Sequence, residues 1–164
     1  MILWDEELAP ELPTINALTP QRRYAVAVHA IEGTLASFDP PPARGRALEL
    51  LRACLDGARA AVGGAHVGLA MPEGAEEEIT DLVSVDGDAE PGLGPLLMAV
   101  ANCYEIPEPG MATEHLFTLL SDCYSAVVER DGRDEETPAQ ERSNPSLTAE
   151  IALQKRLLIQ AATP

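Results

Sequence analysis

Apolar residues recur along most of this chain at spacings of three and four, the period that puts them on one face of an α-helix. In the first clear run, Tyr24, Val28, Ile31, Leu35 and Phe38 are separated by four, three, four and three residues. Thr19 and Pro20 precede it as an N-cap and a first-turn proline, and Pro40-Pro41-Pro42 closes it. A second helix is expected from about Ala43 to Val62, on a stripe of Leu48, Leu51, Leu55, Ala58 and Val62, with Gly63-Gly64 as its stop. Residues 65–71 are too short a stretch to type. Pro72 then opens a third helix reaching Val83 through Ile79 and Leu82. Leu93, Leu96, Leu97, Val100 and Tyr104 mark a fourth, ended by Pro107 and Pro109. Met111, Leu116, Leu119, Leu120, Cys123 and Val127 mark a fifth, to about Glu129, and Leu147, Ile151, Gln154, Leu158 and Ala161 mark the last, opened by Asn144-Pro145.

Two segments lack this regularity. Residues 1–18 carry scattered apolar anchors (Ile2, Leu3, Trp4, Leu8, Leu12, Ile15) broken by Pro10 and Pro13, which reads as an N-terminal arm or short helix laid over the body. Arg130 to Ser143 is polar, holds Gly132 and Pro138, and reads as a mobile acidic loop. The expected architecture is all-α: a compact bundle of five to six amphipathic helices in a single domain over residues 19–164.

Composition agrees with helices. Hydrophobic residues make up 46% of the 164, but aromatics only 4%, whereas a β-sandwich draws on Val, Ile, Thr, Tyr and Phe. No run of eighteen apolar residues is present, so no membrane span is expected. The N-terminus turns acidic at Asp5-Glu6-Glu7, unlike a secretory signal, so a cytoplasmic location is expected. Cys54, Cys103 and Cys123 lie far apart with no CxxC pair and read as buried thiols. Basic residues are nearly all arginine, the lone lysine being Lys155; with so much Ala, Gly and Pro, this resembles translation from a GC-rich bacterial genome.

Charge changes the picture most. From Ala60 to Glu129 there is no lysine or arginine, yet thirteen carboxylates, which is about four fifths of the formal net charge of -16. Arg22, Arg23, Arg44, Arg46, Arg52 and Arg59 leave the N-terminal half near neutral, so the molecule is dipolar. Such a field repels phosphate backbones and anionic lipid and attracts basic proteins, which argues against nucleic-acid or membrane partners. Two readings of the stretch stand side by side: a solvated surface that keeps an acidic protein in solution, or a docking face for a basic partner. The docking reading selects Glu76, Glu77, Asp81, Asp86, Asp88 and Glu90, with the segment from Arg130 to Ser143 as a secondary candidate.

Motifs for chemistry are missing or incomplete. Asp86-x-Asp88-x-Glu90 begins like a calcium loop, but Pro91 and Leu97 stand where that loop needs Gly and a bidentate Glu. Glu73, Glu76, Glu78 and Asp81 have the spacing of a magnesium-dependent all-α hydrolase, yet they lie on one helix, where a metal cage needs carboxylates converging from two. His29, His66 and His115 are isolated, with no HExxH. A phosphate-binding glycine loop is missing as well; Gly92-x-Gly94 is followed by Pro95. No catalytic residue, metal ligand or cofactor is assigned.

Leu18-Thr19-Pro20-Gln21-Arg22-Arg23-Tyr24-Ala25-Val26-Ala27 and the tail from Asn144 to Leu158, with Glu150, Gln154 and a basic-leucine run, resemble small all-α actinobacterial proteins of unknown function. Some of that kind are described as immunity proteins of polymorphic toxin systems. The resemblance implies a helical fold and toxin neutralisation, and it carries no functional residues. Joined to the charge argument, it gives the leading expectation: a non-catalytic acidic binding protein, not an enzyme. It would be an immunity protein that occludes the active site of a basic cognate toxin, a nuclease being one such toxin, and acts as monomer or homodimer. The alternatives are the metal-dependent all-α hydrolase and a structural or scaffold subunit that homodimerises.

Overall fold

The capping signals form as the sequence reads. Thr19 accepts a hydrogen bond from the Arg22 amide through its hydroxyl (3.2 Å), and the helix from Pro20 to Ser37 follows. Asn144 caps the last helix by accepting from the Ser146 and Leu147 amides at 2.9 and 3.4 Å. The computed structural model describes residues 2–84, 87–131 and 137–164. Its helices are α1 (Ile2–Leu8), α2 (Leu12–Ala17), α3 (Pro20–Ser37), α4 (Arg46–Ala60) and α5 (Ala75–Val83), then α6 (Leu93–Ala101), α7 (Thr113–Asp131), α8 (Pro138–Ser143) and α9 (Pro145–Ala162). A single 3-10 turn, Ala9–Glu11, joins α1 to α2. Among the described residues there is no strand, and no helix is long and apolar enough to cross a membrane.

The six longer helices are the six periodic segments; α1, α2 and α8 are additional, so the count exceeds the expected five to six. Helix α7 packs on α3, α6 and α9, and α3 packs on α4, α6 and α9. One flank, α4 and α5, covers α6; on the other, α1, α2 and α8 gather around α9. Leu96, Leu97, Leu119 and Leu120 are fully buried at the centre. Burying each such side chain contributes about 1.5–3 kcal/mol relative to leaving it exposed. Helices α3 and α9 approach closely at Gly33, where a Cβ would lie 2.7 Å from Leu153 Cδ2. Gly92, at φ 86°, starts α6 in a conformation L side chains rarely adopt, and a Cβ there would meet the Ala126 carbonyl oxygen at 2.7 Å.

Residues 2–17 are helical and firmly docked. Leu3, Trp4, Leu8 and Ile15 are buried, and the Leu3 amide donates to Glu141 Oε2 at 2.6 Å. Pro10 and Pro13 sit in first turns, where a missing amide costs nothing, so they divide this segment into short helices instead of preventing them. The segment 130–143, expected as a loop, differs too. Helix α7 runs on to Asp131, α8 occupies Pro138–Ser143 behind a Thr137 cap, and the expected loop is left only residues 132–136, outside the described residues, and the cap itself.

Candidate functional site: an acidic face on α5 and its neighbours

Helix α5 is anchored through Ala75 and Ile79, which are buried, and it packs on α4 and α6. Gly74, at φ 75°, turns the chain into it, and Glu76, Glu77 and Glu78 follow in the first turn, where the helix dipole favours carboxylates. With Ala75 and Ile79 turned inward, Glu76, Glu77, Thr80 and Asp81 face outward and line one shallow depression with Gly74. Glu77 and Asp81 are four residues apart, so like charges stand one turn from each other. Among the described residues no ion pair reaches Glu76, Glu77, Asp81 or Asp88.

The remaining candidates separate from that group. Asp88 and Glu90 line a second depression with Arg44, Arg46, Leu48 and Leu82, so positive charge borders it. Glu90 is consumed internally: it accepts from the Ala43 amide at 2.8 Å and pairs with Arg130. Arg130, then the Ala43 amide, hold its carboxyl below the ordinary range. The same guanidinium donates to the Pro40 carbonyl at 2.6 Å and lies over the Phe38 ring, 5.4 Å from its centroid. Glu90 therefore fastens the α3–α4 connection to the end of α7. Glu78 is likewise taken by Arg46, through Nη2 at 2.6 Å, and this pair holds its carboxyl below the ordinary range. Asp86 lies outside the described residues. Of the secondary candidate segment, Glu141 is buried against the Leu3 amide and Arg142 pairs with Glu6 at 2.7 Å.

Most cations are engaged within the molecule. Arg59 pairs with Glu32 and Asp56, and Lys155 pairs with Glu7 at 2.6 Å, holding that carboxyl below its ordinary range. Arg23 donates to the Met111 and Leu18 carbonyls, each at 2.6 Å. Among the described residues, Glu76, Glu77 and Asp81 of α5 are thus left without an ion-pair partner.

Chemistry elsewhere is sparse. Among the described residues no three His, Cys, Asp or Glu side chains are grouped to hold a metal ion; of the four hydrolase candidates, Glu78 belongs to Arg46. Burial pushes all three thiols up, Cys103 to about 12. His66 is buried and stacks on Tyr24 at 4.4 Å between ring centroids.

The polar cluster that sequence reading missed lies in the core. Gln154 accepts from the Trp4 indole N–H (2.9 Å) and donates to the Leu120 carbonyl (2.9 Å) and to Glu150 Oε1 (2.8 Å). The Thr34 hydroxyl lies 2.8 Å from the Ala30 carbonyl and 3.0 Å from Glu150 Oε1. The Thr34 hydroxyl has one proton, for which the Ala30 carbonyl and the Glu150 carboxyl compete. Burial raises the Glu150 carboxyl pKa, against the hydrogen bonds from Gln154 and Thr34. A signal was present: Gln154 falls on the apolar stripe, and Glu150 stands one turn before it. This cluster is sealed from solvent and ties α1, α3, α7 and α9 together. Comparison with protein-family models, curated proteins and solved structures found no match to this chain.

Proposed function

We propose that this chain is a non-catalytic binding protein that docks a basic partner protein on the acidic face of α5, most concretely an immunity protein that covers the active-site cleft of a cognate toxin. The observation that carries this reading is the placement of Glu76, Glu77 and Asp81 together, exposed and without an internal cation, on a helix fixed by Ala75 and Ile79. Asp88, exposed in the separate depression that Arg44 and Arg46 border, is a further candidate contact. Opposite potentials speed encounter, while apolar contacts at the seat set the residence time. Occupying a cleft blocks substrate without chemistry on the inhibitor.

The test is capture of partners from the native host with the tagged protein at low and high salt, beside a Glu76→Lys, Glu77→Lys, Asp81→Lys variant. A basic protein held by the wild type, released by salt and lost in the variant supports the reading. Capture that the triple reversal leaves unchanged overturns it.

A further inference from the structure

Between α5, α6 and α7 lies an open groove of about 370 Å³. Leu82 and Val83 from the end of α5, and Pro95 and Met98 from α6, give it an apolar strip within a lining that is otherwise mostly polar. Met98 is 45% exposed, one of two large apolar side chains left open to this degree among the described residues. The opposite wall is a polar stripe of α7, where Asp122, Ser125 and Glu129 follow at spacings of three and four and so share one side of the helix. Every lining residue falls between positions 82 and 129, inside the stretch without lysine or arginine. Asp122 is partly withdrawn from water and accepts a hydrogen bond from the Asn102 amide at 3.4 Å. Burial lifts its carboxyl to about 6. Glu129 accepts from the Gly92 amide at 3.2 Å through one oxygen.

We propose that this groove is the apolar seat of the docking face and receives an amphipathic helix of the partner whose basic side chains meet Asp122 and Glu129. The assignment rests on the function proposed above and adds to it a second contact surface with a defined chemistry. Met98, Leu82 and Val83 cover the aliphatic stems of arginine or lysine, and the two carboxylates receive the heads. Seven residues of α7 separate Asp122 from Glu129, about 10 Å of axial rise, which two basic residues seven apart on a partner helix would match. A solvated acidic surface needs no apolar strip. A homodimer seat would gain nothing from carboxylates on one wall with no cation opposite.

The probes are two labelled synthetic peptides of equal composition, made of leucine, alanine and arginine. One is amphipathic with arginines seven apart, and the other is scrambled. Binding is read by fluorescence anisotropy at low salt. The amphipathic peptide is expected to bind at least tenfold tighter than the scramble, and Met98→Lys, an exposed change, to remove that advantage. Affinity should rise as Asp122 ionises between pH 5 and pH 7.5, and Asp122→Asn should flatten the profile. Facing Asp122, α6 has no titratable side chain and α5 offers Leu82 and Val83; on α7 itself stand Glu129, in the groove, and the buried Cys123 thiol. The triple reversal on α5 should weaken both peptides alike, leaving their ratio intact. Equal binding of the two peptides, or no effect of Met98→Lys, overturns the groove while leaving the α5 docking face to stand on its own capture experiment. A doubled solution mass that Met98→Lys returns to monomer would assign the groove to a second copy and also overturn the proposal.

Discussion

Replacing Gln154 with leucine removes three hydrogen bonds without opening a large cavity, and it isolates the contribution of the buried polar cluster. Trp4 loses the Gln154 acceptor of its indole N–H in a site from which water is excluded, since the residue is 1% exposed. An orphaned buried donor costs about 1–3 kcal/mol. Glu150 loses one donor and keeps Thr34, and the Leu120 carbonyl keeps its helical bond, so these add about 1 kcal/mol between them. The expected loss is about 2–4 kcal/mol, a large share of the 5–15 kcal/mol typical of folded proteins. With a urea m-value near 2 kcal/mol per M, the unfolding midpoint should fall by about 1–2 M. Trp4 is the sole tryptophan, so its fluorescence reports the docking of α1 directly, while far-UV circular dichroism reports the helices. Gln160→Leu, the same change at an exposed position of α9, is the control and should move the midpoint little. A Gln154→Leu protein within about 0.5 kcal/mol of wild type, the spread expected of ordinary surface changes, would refute the claim that this cluster holds the four helices together.

Two further outcomes follow from buried groups. The Glu150 pKa is raised on folding, so its contribution is full below its ordinary value of 4.5 and is lost as pH rises through the folded value. Glu150→Gln cannot titrate, so the stability of wild type relative to this variant should decline as pH rises above 4.5, read by urea unfolding; a constant difference would contradict it. Cys54, Cys103 and Cys123 are buried with raised pKa values, so an aromatic disulfide reagent should modify none in the native protein and all three after denaturation. A thiol that reacts rapidly in the native state would contradict their placement.

Helical periodicity was legible because apolar stripes are local. Tyr24, Val28, Ile31 and Phe38 are buried as their spacing requires, and so are Leu93, Leu96, Leu97, Val100 and Tyr104. The short helices were not legible. Helix α8 buries a carboxylate, Glu141, in place of an apolar stripe, and its partner is an amide 138 residues away. Charge density in the candidate site could be counted from the sequence, but its pairing could not. Glu78 and Arg46 are 32 residues apart and Glu90 and Arg130 are 40 apart, so which carboxylates stay free is decided by tertiary structure. The α5–α6–α7 groove was hidden for a related reason: Asp122 reads as one more acid until α6 covers part of it.

The bond between Trp4 and Gln154 joins residues 150 positions apart. On a translating ribosome the first of these is made about 8–30 s before the second, at roughly 5–20 residues per second. Until α9 emerges, the indole and the side chains of Leu3 and Leu8 have no finished surface to cover them. The docking of α1 is therefore a late event in synthesis, and a nascent chain stalled before position 150 would present those side chains to chaperones.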